Sequence, residues 1–502
     1  MRSDTIWKQD LKPIRLLFLL ASFLLITAAG CMVGPDYKRP VTKVPEQWNG
    51  QEVVNAATPS KTSTNPAAVA AWWRNFQDPT LTALVEMAVR HNLDLRQAEA
   101  RIRQARAALG VAGAPLFPQA DANVQYQRSS KSPSQSVGGG VGPSGIATGG
   151  FTELFQVGLD ASWELDIFGG TRRNIEAAGA DLRASVEDRR DVLVTLVGDV
   201  GNNYLTLRGV QQQLAVAHKN LETQKKTAAI IRRRFEVGTV SRLDLANADA
   251  QVATTAATIP IFESQARAAI YSLGVLLGRE PAALAQDLLK AGPIPANPPE
   301  VPVGLPSELL RRRPDIRRSE AQLHAATARI GVATADLFPK FNLTGSFGVS
   351  SSDLTKLGNV ANNKFWSFGP SVTWPIFAGG RIWWNIKVQD ALAEQALLTY
   401  QKTVLTALKD VETALVAYAK EQERRRALVA AVANNRRVVD LAMKLYIAGK
   451  TDFLNVTTAQ RNLFVNEDLL AQSTRTVDTN LIALYKALGG GWEKNHNILP
   501  GG

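Results

Sequence analysis

Four histidines, His91, His218, His324 and His496, stand far apart, and none falls in the His-Glu-x-x-His or His-x-His spacing that would hold a metal. There is no Gly-x-Ser-x-Gly elbow to raise a nucleophile. The run Gly138-Gly139-Gly140 lacks the helix start and Lys-Ser/Thr pair of a phosphate cradle, so it is expected to be a loop tip. Arg232-Arg233-Arg234, Arg311-Arg312-Arg313 and Arg424-Arg425-Arg426 are clusters that could neutralise phosphates, but the first and third fall on expected helices and the second precedes Pro314. The residue types therefore predict no enzyme, no cofactor, no metal centre and no nucleic-acid partner. The net charge of +12, of which the first 30 residues carry +2, fits nucleic acid, an anionic membrane surface or solvated helices. The spread of basic residues along helical segments favours the last.

Cys31 is the only cysteine, which excludes an intramolecular disulfide and a cysteine metal cluster. Lys8, Lys12 and Arg15 precede an apolar stretch from Leu16 to Ala28, and Ala29-Gly30 follows. This is the order of a signal peptide, and the apolar stretch is too short to span a bilayer. The start resembles a bacterial lipoprotein, which implies cleavage before Cys31 and acylation of its thiol and new amino group. Ala28 departs from that motif, which prefers Leu there. Each buried methylene contributes about 0.8 kcal/mol, so several acyl chains would hold the chain on a membrane. Residues 1–30 are thus expected to be a signal peptide and 31–80 a lipid-anchored extended segment. No later segment has 18 consecutive apolar residues, so any crossing of a membrane must be made by strands.

Residues 94–119 match residues 315–340 at constant offset, with about half the positions identical. Shared residues include Asp94/Asp315, Arg96/Arg317, Glu99/Glu320, Gly110/Gly331 and Leu116-Phe117-Pro118/Leu337-Phe338-Pro339; further on, Gly238 is echoed by Gly449 and Gly278 by Gly489. Two repeats follow, at 81–290 and 307–491, joined by a Pro-rich linker at 291–306 and followed by a tail at 492–502. Each repeat reads helix, strand, loop, strand, long helix, turn, helix. Leu193, Val197, Val200, Tyr204, Leu207 and Leu214, and in the second repeat Val404, Leu408, Val411, Leu415 and Tyr418, form narrow coiled-coil-like stripes. The strand pairs, expected near 119–168 and 340–377, alternate apolar and polar residues at period two, as in Val157, Leu159, Ala161 and Trp163. Four strands cannot close a membrane barrel, so several chains must pool theirs. The fold class expected is mainly α, with long coiled-coil-like helices and four strands per chain contributing to a transmembrane β-barrel.

The sequence is identified as resembling the TolC-like outer-membrane efflux proteins, in the NodT-type lipoprotein subgroup that serves resistance-nodulation-division systems. The likeness is carried by Cys31-Met32-Val33-Gly34-Pro35-Asp36-Tyr37, by Trp72-Trp73 with Phe76 and Asp78-Pro79, and by Asn92-Leu93-Asp94-Leu95. It is carried most specifically by Leu309-Leu310-Arg311-Arg312-Arg313-Pro314-Asp315-Ile316-Arg317 with Ile330-Gly331-Val332-Ala333 and Phe338-Pro339. The resemblance runs from Cys31 to about Gly491. It implies a homotrimer with a 12-stranded barrel in the outer membrane, a helical tunnel in the periplasm and a belt near Pro281–Pro306. It further implies a passive exit duct for drugs or other small molecules, working with a periplasmic adaptor protein, an inner-membrane pump and the outer-membrane lipid. A duct for metal-ion export or for type I protein secretion is the alternative.

The same resemblance places a periplasmic gate where the long helices turn, at Gly238 and Gly449. Three copies of one carboxylate around an axis repel each other and attract cations, which makes a selective aperture. Asp244 matches a family carboxylate near that tip. At the family's paired acidic positions after the second turn this chain has Asn455 and Thr458, so Asp452 is the candidate there. Both aspartates also suit helix N-capping after a glycine turn.

Overall fold

A computed structural model of the chain describes residues 32–50, 52, 54, 61–63, 67–130, 151–295 and 300–493. Cys31, the residues before it, the Gly138-Gly139-Gly140 run and His496 lie outside the described residues. In chain order the main elements are β1 (Lys61–Ser63), α1 (Pro79–His91), α2 (Leu93–Gly113), β2 (Gln119–Ser130), β3 (Phe151–Leu165), α3 (Gly170–Glu236) and α4 (Arg242–Leu276). They continue with β4 (Glu300–Pro302), α5 (Pro306–Arg312), α6 (Pro314–Ala335), β5 (Lys340–Ser351), β6 (Lys364–Thr373), α7 (Arg381–Ile447) and α8 (Phe453–Ala487). The two repeats are matched in length: α3 and α7 have 67 residues each, α4 and α8 have 35 each. At 1.5 Å per residue the 67-residue helices are roughly 100 Å long. Among the described residues no helix is long and apolar enough to cross a membrane.

The chain divides into two compact units, one gathering residues up to 39, 104–182 and 321–397, the other 40–103, 183–320 and 398 onward. The first unit holds an antiparallel sheet of order β2-β3-β5-β6. Opposed residues of an antiparallel sheet point to one face, so the register decides whether the alternation seen in each strand adds up. It does: Ala122, Leu159, Phe347 and Trp366 form one row, and Leu165, Phe341 and Val372 another. The opposite face carries Asp121, Asp160, Ser346 and Ser367 in a row. One row of the polar face differs, with Phe365 beside Gly348 and Gly158. A Cβ on Gly348 would come 2.9 Å from the Phe365 ring and 2.5 Å from the Val157 carbonyl oxygen, so glycine is what lets that ring lie flat on the sheet. All twelve residues of β2 are exposed, and β2 and β6 form the two outer edges.

The second unit is helical around an apolar core that includes Trp72, Phe76, Leu81, Tyr204, Tyr418, Leu481 and Tyr485. Trp72 stacks on Tyr485 with ring centroids 5.4 Å apart. The Asp78-Pro79 pair opens α1: Asp78 Oδ1 accepts from the Thr80 and Leu81 amides at 2.7 and 3.0 Å, and proline occupies a first-turn position that needs no amide. The other carboxylate oxygen accepts from the Tyr204 hydroxyl at 2.7 Å. The Arg311-Arg312-Arg313 cluster is partly internal. Arg313 donates to both oxygens of Asp315 at 3.0 and 2.6 Å and to the Ala487 carbonyl at 3.0 Å, and Arg312 pairs with Glu493 at 2.6 Å.

Asp478 on α8 is 1% exposed, and neither carboxyl oxygen meets a hydrogen-bond partner. Burial pushes its pKa up to about 8, opposed by Arg425. The folded value lies above the unfolded one, so the contribution of this group to stability is fully present below about pH 4 and is lost as pH rises toward 8, by roughly 1.4 kcal/mol per pH unit. Asp478→Asn is expected to flatten the decline of thermal stability between about pH 4 and 8. An unchanged slope in the variant's melting curves would refute the assignment.

Candidate functional site

The two helix turns lie in the second unit and share one backbone solution. After α3, Gly238 has φ 76°, its amide donates to Phe235 O at 2.9 Å, and the Thr239 amide donates to Arg234 O at 2.9 Å. After α7, Gly449 has φ 71°, with its amide on Tyr446 O at 3.0 Å and the Lys450 amide on Leu445 O at 2.8 Å. Positive φ at the residue past the helix end is what glycine permits, and these bonds satisfy the last carbonyls. A small apolar cluster of Ala228, Ile231, Ala248, Tyr446, Phe453 and Val456 packs the two hairpins together. Arg234 donates to the Ile447 carbonyl at 3.2 Å and lies 5.3 Å from the Tyr446 ring centroid. Burial raises the Tyr446 pKa, Arg234 opposes, and the charge of Asp244 adds to the rise.

The side chains that follow the turns differ. Ser241 caps α4 in a reciprocal box: its hydroxyl accepts from the Asp244 amide at 3.1 Å, while Asp244 Oδ2 accepts from the Ser241 amide at 3.2 Å and hydroxyl at 3.0 Å. In the second turn Asp452 stands where Ser241 stands in the first, exposed, and its side chain makes no capping bond. Asn455 takes the place of Asp244 and donates to Thr451 Oγ1 at 2.7 Å. Thr458 is half-buried further along α8. Asp244 is thus engaged in holding its helix, whereas the Asp452 carboxylate is directed to solvent.

A second constellation lies in the first unit, beside the proposed lipid-bearing residue. The amide of Val33 donates to Phe168 O at 3.2 Å. Arg173, 2% exposed, donates to Val33 O at 3.1 Å, Asp36 at 2.7 Å and Glu176 at 2.8 Å. His324 Nε2 lies 2.9 Å from Glu176, and its ring stacks on Tyr37 at 4.3 Å. Burial works against the Arg173 charge, yet Asp36 and Glu176 hold its pKa above the ordinary value. Burial likewise favours a neutral Glu176, but the bonds from His324 and Arg173 keep its pKa below the ordinary value. A Cβ on Gly34 would fall 2.4 Å from the Gly331 Cα, so two glycine backbones touch. Sequence reasoning missed this clamp; its only sign was the Gly34-Pro35-Asp36-Tyr37 run quoted for the family.

The chain belongs to the outer membrane efflux protein family, which is matched over residues 84–279 and 305–490. Nodulation protein T of Rhizobium leguminosarum bv. trifolii is 32% identical over 471 residues, covering 94% of this chain and 96% of that protein. The probable outer membrane lipoprotein SilC of Salmonella typhimurium is 31% identical over 483 residues, covering 95% and 99%. A solved structure of the outer-membrane channel OprN superposes with a TM-score of 0.82 at 36% identity, covering 92% of this chain and all of that one. The protein is therefore an efflux channel of the outer membrane, from a family of transport ducts.

The unlike engagement of the two carboxylates yields a test. Asp244→Ala removes the carboxylate half of the capping box, leaving the Ser241 hydroxyl on the residue-244 amide, and is expected to cost about 1 kcal/mol. Asp452→Ala breaks no such bond and should change stability by less than about 0.5 kcal/mol. Thermal unfolding of both variants checks the pair, and equal losses would contradict the difference in capping.

Proposed function

We propose that three copies of this chain close a 12-stranded barrel and form one passive exit duct, served by a periplasmic adaptor and an inner-membrane pump. The observation that carries the reading is the sheet: an in-register apolar face, a polar face, and two edges left to pair. Every backbone group in hydrocarbon needs a partner, so β6 of one copy must meet β2 of the next. The internal repeat suggests the register. The Ile167 amide donates to Leu165 O and the Ile376 amide to Trp374 O, both at 2.9 Å, which equates the ends of β3 and β6. Transferring the β3–β5 pairing to the copy interface sets Ser371 opposite Asn123 and Val372 opposite Ala122, polar against polar and apolar against apolar. By the same equivalence Phe168, stacked on Phe338 at 4.6 Å, corresponds to Phe377, which would stack on Phe117 of the next copy. Phe377 and Phe117 are 91% and 70% exposed in the single chain.

Cys31 is the lipid attachment point in this reading, consistent with the clamp that begins two residues later and with the likeness to a protein named as an outer membrane lipoprotein. The turns at Gly238 and Gly449 form the periplasmic gate. Asp452, exposed and uncapped, supplies its carboxylate ring, while Asp244 stabilises the neighbouring helix start beside Asn455 and Thr458. The cargo is a drug or another small molecule, selected by the pump, and the duct performs no catalytic step.

Asn123→Cys combined with Ser371→Cys is expected to give a reducible cross-linked trimer on electrophoresis, with neither single variant cross-linking. Its absence in a well-folded oligomer would sink the edge pairing. In planar bilayers, Asp452→Ala should raise conductance and lower cation selectivity relative to wild type; unchanged pores would remove Asp452 from the gate while leaving the duct.

A further inference from the structure

We infer that the junction where β6 passes into α7, carrying Trp383, Trp384 and Lys387, docks on the phospholipid headgroups of the leaflet in which Cys31 is anchored; this rests on the lipidation proposed above. The two strand-to-helix junctions are built alike. Arg172-Arg173-Asn174-Ile175-Glu176 opens α3 where Trp383-Trp384-Asn385-Ile386-Lys387 opens α7. The Arg173 amide donates to Gly169 O at 2.8 Å and the Trp384 amide to Gly380 O at 3.0 Å, and the two glycines have φ of 78° and 79°. In the first junction the chain's own residues 33–36 cover Arg173. In the second, Trp383 and Trp384 are 51% and 63% exposed in the single chain; the repeat equivalence brings Gly110 of the next copy to Trp384 as Gly331 meets Arg173, but supplies no counterpart of residues 33–36 over the indoles. Their rings meet edge to face at 4.5 Å, and Lys387 Nζ lies 5.8 Å from the Trp383 ring while also pairing with Asp390 at 3.1 Å.

Two adjacent exposed indoles mark a contact surface, and the position of the anchor says with what. A Cβ on Gly169 would touch Met32 at 2.8 Å, so the residue that follows the proposed lipid attachment point is seated at the first junction. Acyl chains carried by the preceding residue would enter their leaflet close to that junction. The Ile167 and Ile376 amides close on Leu165 O and Trp374 O at equivalent strand ends, so a barrel built from the repeats brings both junctions out of the sheet at one level. Indole rings partition to the headgroup region, where the N–H stays wet and the ring body meets the acyl chains, and a lysine beside them complements lipid phosphate.

The test uses the full-length, acylated protein in nanodiscs of phosphatidylethanolamine and phosphatidylglycerol, with and without bromines placed high on the acyl chains. Wild type is expected to show bromine quenching that falls in Trp383→Phe/Trp384→Phe. Native mass spectrometry of the same variant combined with Lys387→Gln should show roughly two- to fivefold less retained phosphatidylglycerol. Equal quenching in wild type and variant overturns the proposal. So does protection of both indoles from lipid and from aqueous quencher alike, since a second copy of the chain then covers them. The mass of the N-terminal peptide separates the two readings: an unacylated Cys31 with quenched indoles removes the anchor and keeps the lipid surface, while an acylated Cys31 with unquenched indoles does the reverse.

Discussion

A peptide group in hydrocarbon has no water to turn to, and each one left unpaired costs several kcal/mol. Four strands in one open sheet therefore cannot be a finished membrane structure, however well their faces are sorted. The sheet here aligns apolar residues in rows such as Ala122, Leu159, Phe347 and Trp366, and its outer strands are unpaired. Assembly is in this sense written into backbone chemistry before any side chain chooses a neighbour. The side chains then decide register: a slip of one residue would turn Ala122, Leu159, Phe347 and Trp366 toward the polar face.

The repeat supplies the same backbone twice and varies what is attached to it. At the turns, Gly238 and Gly449 keep the left-handed conformation and the same pair of closing bonds, while the carboxylate moves from the third helical position to the cap. At the junctions, Arg173 in one repeat and Trp384 in the other begin helices of equal length. Duplication gives a fold in which a scaffold position is conserved by geometry, and its chemistry is free to differ.

Much of this was legible beforehand because it depends on local patterns. The ends of the long helices followed from glycine turns, strand faces from period two, and the repeat from Leu116-Phe117-Pro118 against Leu337-Phe338-Pro339. What was not legible depends on partners distant in the chain. Arg313 could have been a phosphate ligand until Asp315, Asp410 and the Ala487 carbonyl were found around it. Asp478 sits on a helix rich in polar residues, and only the packing of other helices against it reveals which of them is sealed from water. The aspartates at the turns both look like caps in sequence, and the structure separates them: Asp244 is the third helical residue, bonded back to the Ser241 cap, and Asp452 occupies the cap position without a side-chain bond.

The glycine contact at the clamp sets an order of events. Gly34 rests against Gly331, and Tyr37 against His324, nearly 300 residues further along the chain. Residues 33–37 can therefore find their seat only after most of the chain has been made and the second repeat's α6 has folded. Until then the segment beside Cys31 is long-range in its contacts and short of local ones, so loop closure comes late. An enzyme that acts on the segment before Val33 thus meets a chain whose neighbouring residues are unseated early in the life of the molecule and held later.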